Sequence, residues 1–230
     1  MKKITGIKAI SFDADGTLWD FEKVMRHSLG LTLRKLESLD AVAANRLTID
    51  QIIETTNLVF AELKGKAKNH EEIRLASFKR ILTEIGRPDD ALATDLTEFY
   101  LRHRYNDIEL FDDVRPTLEA LKSRYKIGVV SNGNSYPDRC GLADTFHYIV
   151  FSQDCGIEKP DPGIFHIAIE KVGCAANEML HIGDSLTNDV VGAAGAGMKS
   201  VWLNRLQKKA EPEIDVDYEI RSLSELIDIL

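Results

Sequence analysis

The segment Ile7-Lys8-Ala9-Ile10-Ser11-Phe12-Asp13-Ala14-Asp15-Gly16-Thr17 decides the fold. Its first six residues are largely apolar, which is typical of a buried parallel strand, and two acids follow where that strand would end. Because Gly16 breaks the strand, both carboxylates are expected to turn into one site at its tip. Open α/β sheets bind their ligands at this carboxyl edge, so the segment predicts an α/β protein with a site there.

Asp13 and Asp15 are too close to share one site freely, since two carboxylates repel each other unless a cation or a shared proton lies between them. The pair therefore indicates a divalent-metal site in which one carboxylate stays available for chemistry. A solvated turn rich in Asp and Gly is the alternative interpretation. An EF-hand calcium loop is excluded, because Leu18 stands where that loop needs Gly and Val24 where it needs Glu.

The composition is that of an ordinary globular protein. The chain has 230 residues, of which 44% are hydrophobic and 29% charged, and its formal net charge is −8. This acidity disfavours nucleic acid as a partner, because phosphate backbones bind basic surfaces. No apolar run reaches the length of a membrane span, so no membrane partner is predicted. A small phosphorylated ligand stays compatible, and the sequence indicates no particular oligomeric state.

Cysteine and histidine spacing argues against a soft-metal site. Cys140, Cys155 and Cys174 show no paired spacing, so neither a disulfide framework nor a zinc cluster is indicated. Unpaired cysteines favour a reducing cytoplasm as the location. The 6 histidines also lack metal-ligand spacing and are interpreted as core or surface residues.

Apolar periodicity divides the chain into two parts. Over residues 18–107 the apolar residues recur at helical spacing, which predicts four helices in a small bundle. Residues 1–17 and 108–230 instead alternate strands and helices, which predicts parallel βαβ units in a doubly wound, mainly parallel sheet. The bundle is therefore an insertion after the first strand. Pro116 is expected to open the helix after the insertion, and another helix is expected over residues 190–196.

Polar side chains follow four of the predicted strands at or near their carboxyl ends. They are Asp13 with Asp15, Ser131 with Asn132, Lys159, and Asp184 with Asp189. Taken singly, each set also fits an ordinary turn, loop or helix cap. Because parallel strands share one carboxyl edge, residues far apart in sequence can meet there. The four sets together indicate one site rather than four unrelated turns.

These residues resemble the four motifs of the haloacid dehalogenase superfamily, which is populated largely by phosphatases. The motifs stand in order as Asp13-x-Asp15-Gly-Thr, Ser131-Asn, Lys159-Pro and Gly183-Asp184-Ser-x-x-Asn-Asp189. The resemblance implies a Rossmann-like catalytic core formed by residues 1–17 and 108–230. It also implies that residues 18–107 are a helical cap of the first type, because the gap between Asn132 and Lys159 is too short for the larger α/β cap.

The resemblance implies the chemistry of the acids. Asp13 would attack phosphorus and form an aspartyl-phosphate, which divides a difficult hydrolysis into two easier steps. Asp15 would protonate the leaving alcohol and then act as the base for water. Mg²⁺ would bind the Asp13 carboxylate, the backbone carbonyl of Asp15, and Asp184. All-oxygen ligands suit this hard cation.

The remaining motif residues would stabilise the phosphoryl group. The resemblance implies that Lys159, the Ser131 hydroxyl and backbone amides near Asn132 bind its equatorial oxygens. It implies that Asp189 orients Lys159 or a metal-bound water rather than binding the metal directly.

An intact acid at Asp15 implies a phosphate ester as the substrate, because the dehalogenases that this chain resembles lack an acid there. Substrate choice is expected to depend on the cap and on the residues that follow the nucleophile loop. Those residues are Thr17, Trp19, Asp20 and Phe21, which are expected either to contact the leaving group or to form a hinge packed under the cap.

Two other functions remain compatible with the same residues. A phosphomutase of the β-phosphoglucomutase type would use Asp13 identically but pass the phosphoryl group to a second sugar hydroxyl. A non-catalytic binding or regulatory protein on the same fold is the other alternative, although binding alone would not need both Asp13 and Asp15.

Overall fold

The computed structural model describes residues 3–210 and 213–230. The chain divides into two compact units. One unit, here called the sheet unit, comprises Met1–Asp20 and Glu109–Leu230, and the other, here called the helical unit, comprises Phe21–Ile108. The insertion expected from the sequence, residues 18–107, overlaps the helical unit.

The sheet unit is built on six strands. They are β1 Ala9–Phe12, β2 Lys126–Ser131, β3 Tyr148–Phe151, β4 Met179–Gly183, β5 Lys199–Leu203 and β6 Glu219–Ile220. All neighbouring strands pair in parallel, in the order β3-β2-β1-β4-β5-β6. This confirms the predicted doubly wound α/β sheet. Strand β6 was not predicted, because two residues are too short to show a period.

The helical unit contains five helices, one more than the four expected, because the four-residue α2 is too short to show a period. They are α1 Phe21–Leu39, α2 Ala41–Ala44, α3 Ile49–Leu63, α4 His70–Glu84 and α5 Asp90–Asn106. Side-chain caps fix several of their starts. Thr48 and Gln51 form a capping box at α3, and Asp89 accepts a hydrogen bond from the Leu92 backbone N–H at α5. These caps explain why the breaks between the helices fall at polar positions.

The core of the helical unit is apolar. Its buried members come from all five helices and include Leu29, Leu36, Ala44, Ile52, Phe78, Ile81, Leu82, Leu96 and Tyr100. Apolar burial of this kind is the main source of stability for a helix bundle. Within the described part of the chain, no helix combines the length and the hydropathy that a bilayer span requires.

The helices of the sheet unit differ from two expectations. They are α6 Val114–Lys122, α7 Ser152–Cys155, α8 Pro162–Val172, α9 Gly192–Gly195 and α10 Leu226–Ile229. Helix α6 begins before Pro116, which lies in its first turn, where the missing N–H would have had no helical partner. The expected helix over 190–196 is instead a π-helical turn, Leu186–Val191, followed by the short α9. π-helical turns are frequent at functional sites.

The chain passages on either side of the insertion are paired within the sheet unit. Trp19 forms an antiparallel bridge with Leu110. The backbone N–H of Phe111 donates to the carbonyl of Leu18 at 3.1 Å. The segment that leads into the insertion and the segment that follows it therefore run side by side.

An arginine secures this paired segment. Arg205 donates to both carboxylate oxygens of Asp113 at 2.9 Å and to the Thr17 carbonyl at 3.1 Å. Asp113 also accepts from the Ser222 hydroxyl at 2.7 Å and from the Leu223 backbone N–H at 2.8 Å. Asp113 thus joins the start of α6 to the C-terminal segment through charge-assisted hydrogen bonds.

Candidate active site

Strand β1 delivers the first acid to the carboxyl edge of the sheet. Asp13 directly follows the strand, and its backbone N–H donates to the Ile182 carbonyl of β4 at 2.8 Å. The chain then turns at Gly16, whose φ of +87° favours glycine. A Cβ on Gly16 would lie 2.7 Å from Asp184 Oδ2, so glycine also allows Asp184 to approach the loop.

Lys159 lies between two acids. Its Nζ is 2.6 Å from Asp13 Oδ1 and 2.6 Å from Asp189 Oδ1. All three side chains are buried. Burial acts to lower the pKa of Lys159, but the two carboxylates outweigh it and hold that pKa above its ordinary value. The structure therefore keeps a protonated lysine against the carboxylate of Asp13.

Both oxygens of Asp189 are used by protein donors. Oδ1 lies against Lys159 and at 3.1 Å from His181 Nε2, and Oδ2 accepts from the Ser185 backbone N–H at 3.0 Å. Burial acts to raise the pKa of Asp189, but Lys159 and His181 outweigh it and lower that pKa. A Cβ on Gly183 would lie 2.1 Å from Asp189 Cγ, so this close approach requires glycine at 183.

Three carboxylates converge at this edge. Asp13, Asp184 and Asp189 each offer one oxygen, and these oxygens lie within 4.8 Å of one another. Burial, with the charge of Asp189 adding to it, raises the pKa of Asp184 to about 6. Burial also raises the pKa of Asp13, against the opposing charge of Lys159. A hard divalent cation fits this excess of buried negative charge and the all-oxygen donor set.

The Ser131-Asn132 pair at the end of β2 supports the lysine and the loop beside it. The Asn132 side chain accepts from the Lys159 backbone N–H at 2.8 Å and donates to the Lys159 carbonyl at 2.9 Å. Asn132 therefore fixes the backbone that carries the lysine. The Ser131 hydroxyl is buried and accepts from the Gly133 backbone N–H at 3.1 Å.

Asp15 lies against residues of two loops. Trp19 Nε1 donates to Asp15 Oδ1 at 2.7 Å, and the Ser135 hydroxyl lies at 3.4 Å from the same oxygen. On the other side, a Cβ on Gly133 would lie 2.4 Å from Asp15 Oδ2. The structure thus brings the loop after β2 against the second acid of the first motif.

The residues expected from the sequence to contact the leaving group differ in burial and in the unit to which they belong. Thr17 and Trp19 are fully buried in the sheet unit, and Asp20 is exposed there. Phe21 is the first residue of α1 and belongs to the helical unit. The Thr17 hydroxyl has no hydrogen-bond partner among residues 3–210 and 213–230.

Sequence reasoning missed the role of His181. Its Nδ1 lies 2.8 Å from Ser11 Oγ, its Nε2 faces Asp189, and its ring packs edge-on against Phe165 at 5.0 Å. Ser11 and His181 are register partners on β1 and β4. Two polar residues at matched positions of adjacent buried strands are a signal that was available in the sequence. Spacing rules for metal ligands could not detect it.

Comparison with known proteins agrees with this geometry. Residues 7–197 match the haloacid dehalogenase-like hydrolase family. Glyceraldehyde 3-phosphate phosphatase from Methanopyrus kandleri is 29% identical over a gapped alignment of 235 positions that covers 97% of each chain. A crystal structure of 2-haloacid dehalogenase from Pseudomonas syringae pv. Tomato DC3000 superposes with a TM-score of 0.81, at 30% identity and 97% coverage of each chain.

A magnesium-bound crystal structure of the putative HAD-hydrolase YfnB from Bacillus subtilis also superposes closely. Its TM-score is 0.75 at 27% identity, covering 97% of this chain and 98% of that one. The matched region contains Asp13, Asp15, Lys159, Asp184 and Asp189. The protein is therefore a hydrolase that belongs to the haloacid dehalogenase-like family.

Proposed function

We propose that this protein is a magnesium-dependent phosphatase that hydrolyses a small phosphate monoester through an aspartyl-phosphate on Asp13. The observation that carries the proposal is the pairing of a lysine-bound carboxylate, Asp13, with a second acid, Asp15, that has its own hydrogen-bond donors. The similarity to a relative named glyceraldehyde 3-phosphate phosphatase supports a small phosphorylated substrate.

In the first step, a carboxylate oxygen of Asp13 forms a bond to phosphorus while the ester P–O bond breaks. The electron pair of that bond goes to the leaving oxygen, which takes a proton from Asp15 and departs as an alcohol. Lys159 contacts Asp13 at 2.6 Å and stabilises the negative charge that spreads over the transferring group.

In the second step, Asp15 takes a proton from water as the water oxygen attacks phosphorus. The bond between phosphorus and the Asp13 oxygen breaks, which restores the Asp13 carboxylate and releases inorganic phosphate. Asp189 and Asn132 keep Lys159 in place throughout, through its side chain and its backbone respectively.

The Asp13 carboxylate, the Asp184 carboxylate and the Asp15 carbonyl are the proposed holders of Mg²⁺. When bound, the ion would supply positive charge against the phosphoryl oxygens. Asp189 is not proposed as a ligand, because both of its oxygens already accept from protein donors. The magnesium-bound YfnB structure supports this choice of metal.

The similarity to a haloacid dehalogenase makes dehalogenation the competing activity. A halide leaves without a proton, so a dehalogenase has no use for an acid at position 15. Here Asp15 is present and its carboxylate is held by Trp19. This difference favours phosphate transfer over carbon–halogen cleavage.

We also propose a domain organisation and a cellular location for this protein. The helical unit is proposed to be the cap domain of the family, and its residues to influence substrate choice. A cytoplasmic location is proposed because the spacing of Cys140, Cys155 and Cys174 indicates no disulfide framework.

The test is a screen for phosphate release from sugar phosphates, nucleotides, phosphoglycolate and an aryl phosphate, with and without chelation of Mg²⁺. Asp13→Asn should lower turnover by about 10⁴-fold or more, because it removes the nucleophile. Asp138→Asn is the matched control, since Asp138 is exposed on the same unit.

Three outcomes would contradict the proposal. They are no phosphate release from any ester, full turnover by Asp13→Asn, and conversion of a sugar phosphate into its isomer without phosphate release. The last result would show a phosphomutase. Chloride release from a 2-haloacid in the absence of phosphatase activity would show a dehalogenase.

A further inference from the structure

Trp19 is buried in a loop that holds itself closed. The Gly16 backbone N–H donates to the Trp19 carbonyl at 2.9 Å, and the Leu18 backbone N–H donates to the Ala14 carbonyl at 2.8 Å. Asp15 and Trp19 form a bridge across this loop. These backbone bonds fix the indole, whose ring has no exposed surface, beside the carboxylate of Asp15.

The contact between the two side chains is short and directional. Trp19 Nε1 lies 2.7 Å from Asp15 Oδ1. An indole N–H can only donate, so it always uses Oδ1 as an acceptor. Hydrogen bonds to a carboxylate are stronger than those between neutral groups, so this bond favours a single orientation of Asp15.

The second carboxylate oxygen of Asp15 lies close to a glycine. A Cβ on Gly133 would lie 2.4 Å from Asp15 Oδ2, which is closer than any side chain can come without displacing the carboxylate. Gly133 is itself fixed, because its N–H donates to the Ser131 hydroxyl. Asp15 is therefore held between an indole donor at one oxygen and a backbone surface at the other.

We propose that Trp19 is a positioning residue for acid catalysis, which directs Oδ2 of Asp15, rather than Oδ1, toward the leaving oxygen. This inference rests on the proposed phosphatase function and names the group that orients its acid. During ester cleavage the Oδ2–H bond breaks, the proton joins the leaving oxygen, and the freed electron pair stays on Asp15. Trp19 keeps its own proton throughout.

If Trp19 orients the acid, the loss of kcat on removing its indole N–H should depend on the leaving group. An alkyl phosphate releases a basic alkoxide and needs the proton of Asp15. Nitrophenyl phosphate releases a stable phenolate and needs it far less. General acid catalysis accelerates ester cleavage by about 10²–10⁴-fold. If Asp15 is wrongly oriented, part of this acceleration is lost for the alkyl ester but not for the nitrophenyl ester.

The experiment compares Trp19→Phe with Trp202→Phe in the full chain. Trp202 is the matched control, because it is the other of the 2 tryptophans, is also buried, and donates from Nε1 to the Asp184 carbonyl at 3.0 Å. Trp19→Phe should lower kcat for glycerol phosphate about 10- to 100-fold more than kcat for nitrophenyl phosphate. Trp202→Phe should lower both by similar factors.

A second variant tests the same orientation with the indole intact. Gly133→Ala places a methyl group against Asp15 Oδ2 and should show the same selective loss for the alkyl ester. Equal losses for both esters in Trp19→Phe and Gly133→Ala would overturn the inference. Phosphate release by the wild type would in that case leave the proposed function standing.

An NMR measurement separates the contact from catalysis. The chain has 2 indole N–H resonances, which the two Trp→Phe variants assign. Asp15→Ala should move the Trp19 resonance upfield, because the hydrogen-bond acceptor is lost, and leave the Trp202 resonance in place. An unmoved Trp19 resonance would overturn the inference whether or not any ester is hydrolysed.

Discussion

In the sheet unit, Lys159 and Asp189 form an ion pair with 2% of each side chain exposed, whereas in the helical unit Arg80 pairs with Glu62 while 37% and 62% are exposed. Exposed pairs contribute little to stability, because water and salt screen them. Buried pairs cost desolvation energy that well-packed apolar residues would avoid. Stability therefore does not explain the buried charge of the sheet unit, which agrees with the proposed catalytic role of Lys159.

The two units also differ in what fills their interiors. The core cluster of the helical unit, which includes Phe78 and Leu29, is apolar, and the charged Arg104 is buried against the Phe21 ring. In the sheet unit a connected set of ionisable groups runs from His181 through Asp189 and Lys159 to Asp13. Substitutions of the same kind should therefore have different consequences in the two units.

The largest effect is expected for Lys159→Met. It removes the charge that Asp13 and Asp189 share, so kcat should fall about 10²–10³-fold. Because two buried carboxylates lose their partner, the free energy of unfolding should fall by about 3–5 kcal/mol. Phosphate-release kinetics and urea denaturation of the same preparation measure both. Wild-type turnover in this variant would break the comparison.

A stability effect of similar size is expected from Phe78→Ala in the helical unit. It leaves a cavity in an apolar core and should cost about 3–5 kcal/mol of unfolding free energy. Since Phe78 belongs to no charged set, the folded fraction should keep a kcat within about 3-fold of wild type. Denaturation curves and kinetics at low temperature test this, and a selective loss of kcat would contradict it.

Asp113→Asn should show a moderate effect that depends on pH. Burial acts to raise the pKa of Asp113, but Arg205, Ser222 and the Leu223 N–H outweigh it and lower that pKa in the folded state. The carboxylate therefore stabilises the fold above the unfolded pKa of about 3.9, and this stabilisation is lost as the pH falls through the lower folded pKa.

The variant should accordingly lose about 1–3 kcal/mol at neutral pH and much less in acid. Urea denaturation of both proteins from pH 7 down to the lowest pH at which both still fold measures the difference. If the difference in free energy of unfolding grew as the pH fell, the lowered pKa of Asp113 would be contradicted.

The smallest effect is expected for Arg80→Met, the helical-unit counterpart of Lys159→Met. Its partners Glu62 and Glu84 are exposed, so the free energy of unfolding should stay unchanged within the error of the measurement. Thermal denaturation at low and high salt is the measurement. A loss comparable with that of Lys159→Met would remove the distinction between the two units.

Much of the fold and of the site could be predicted from the sequence, because both depend on patterns along the chain. Strand β1 is a short apolar run before two acids, and the helices of the insertion show a clear period. Asp13 and Lys159 could be placed at the same edge because parallel strands share their carboxyl ends. Their contact at 2.6 Å also depends on Asn132, which fixes the loop that carries Lys159.

The features that could not be predicted depend on contacts that produce no repeating pattern in the sequence. Trp19 was expected at the leaving group or in a hinge, and its hydrogen bond to Asp15 is a contact that spacing along the chain does not reveal. The π-helical turn includes Asp189, whose side chain lies against Gly183, a close approach between residues six apart. Such features follow from three-dimensional crowding rather than from spacing.

The bridge between Trp19 and Leu110 has a consequence for how this protein could be re-engineered. The chain leaves the sheet unit and comes back to it at neighbouring points, so the ends of the insertion are already joined by hydrogen bonds. A different insertion, or a short turn, could be grafted there without lengthening either connection. The sheet unit can therefore accept other segments in place of the helical insertion.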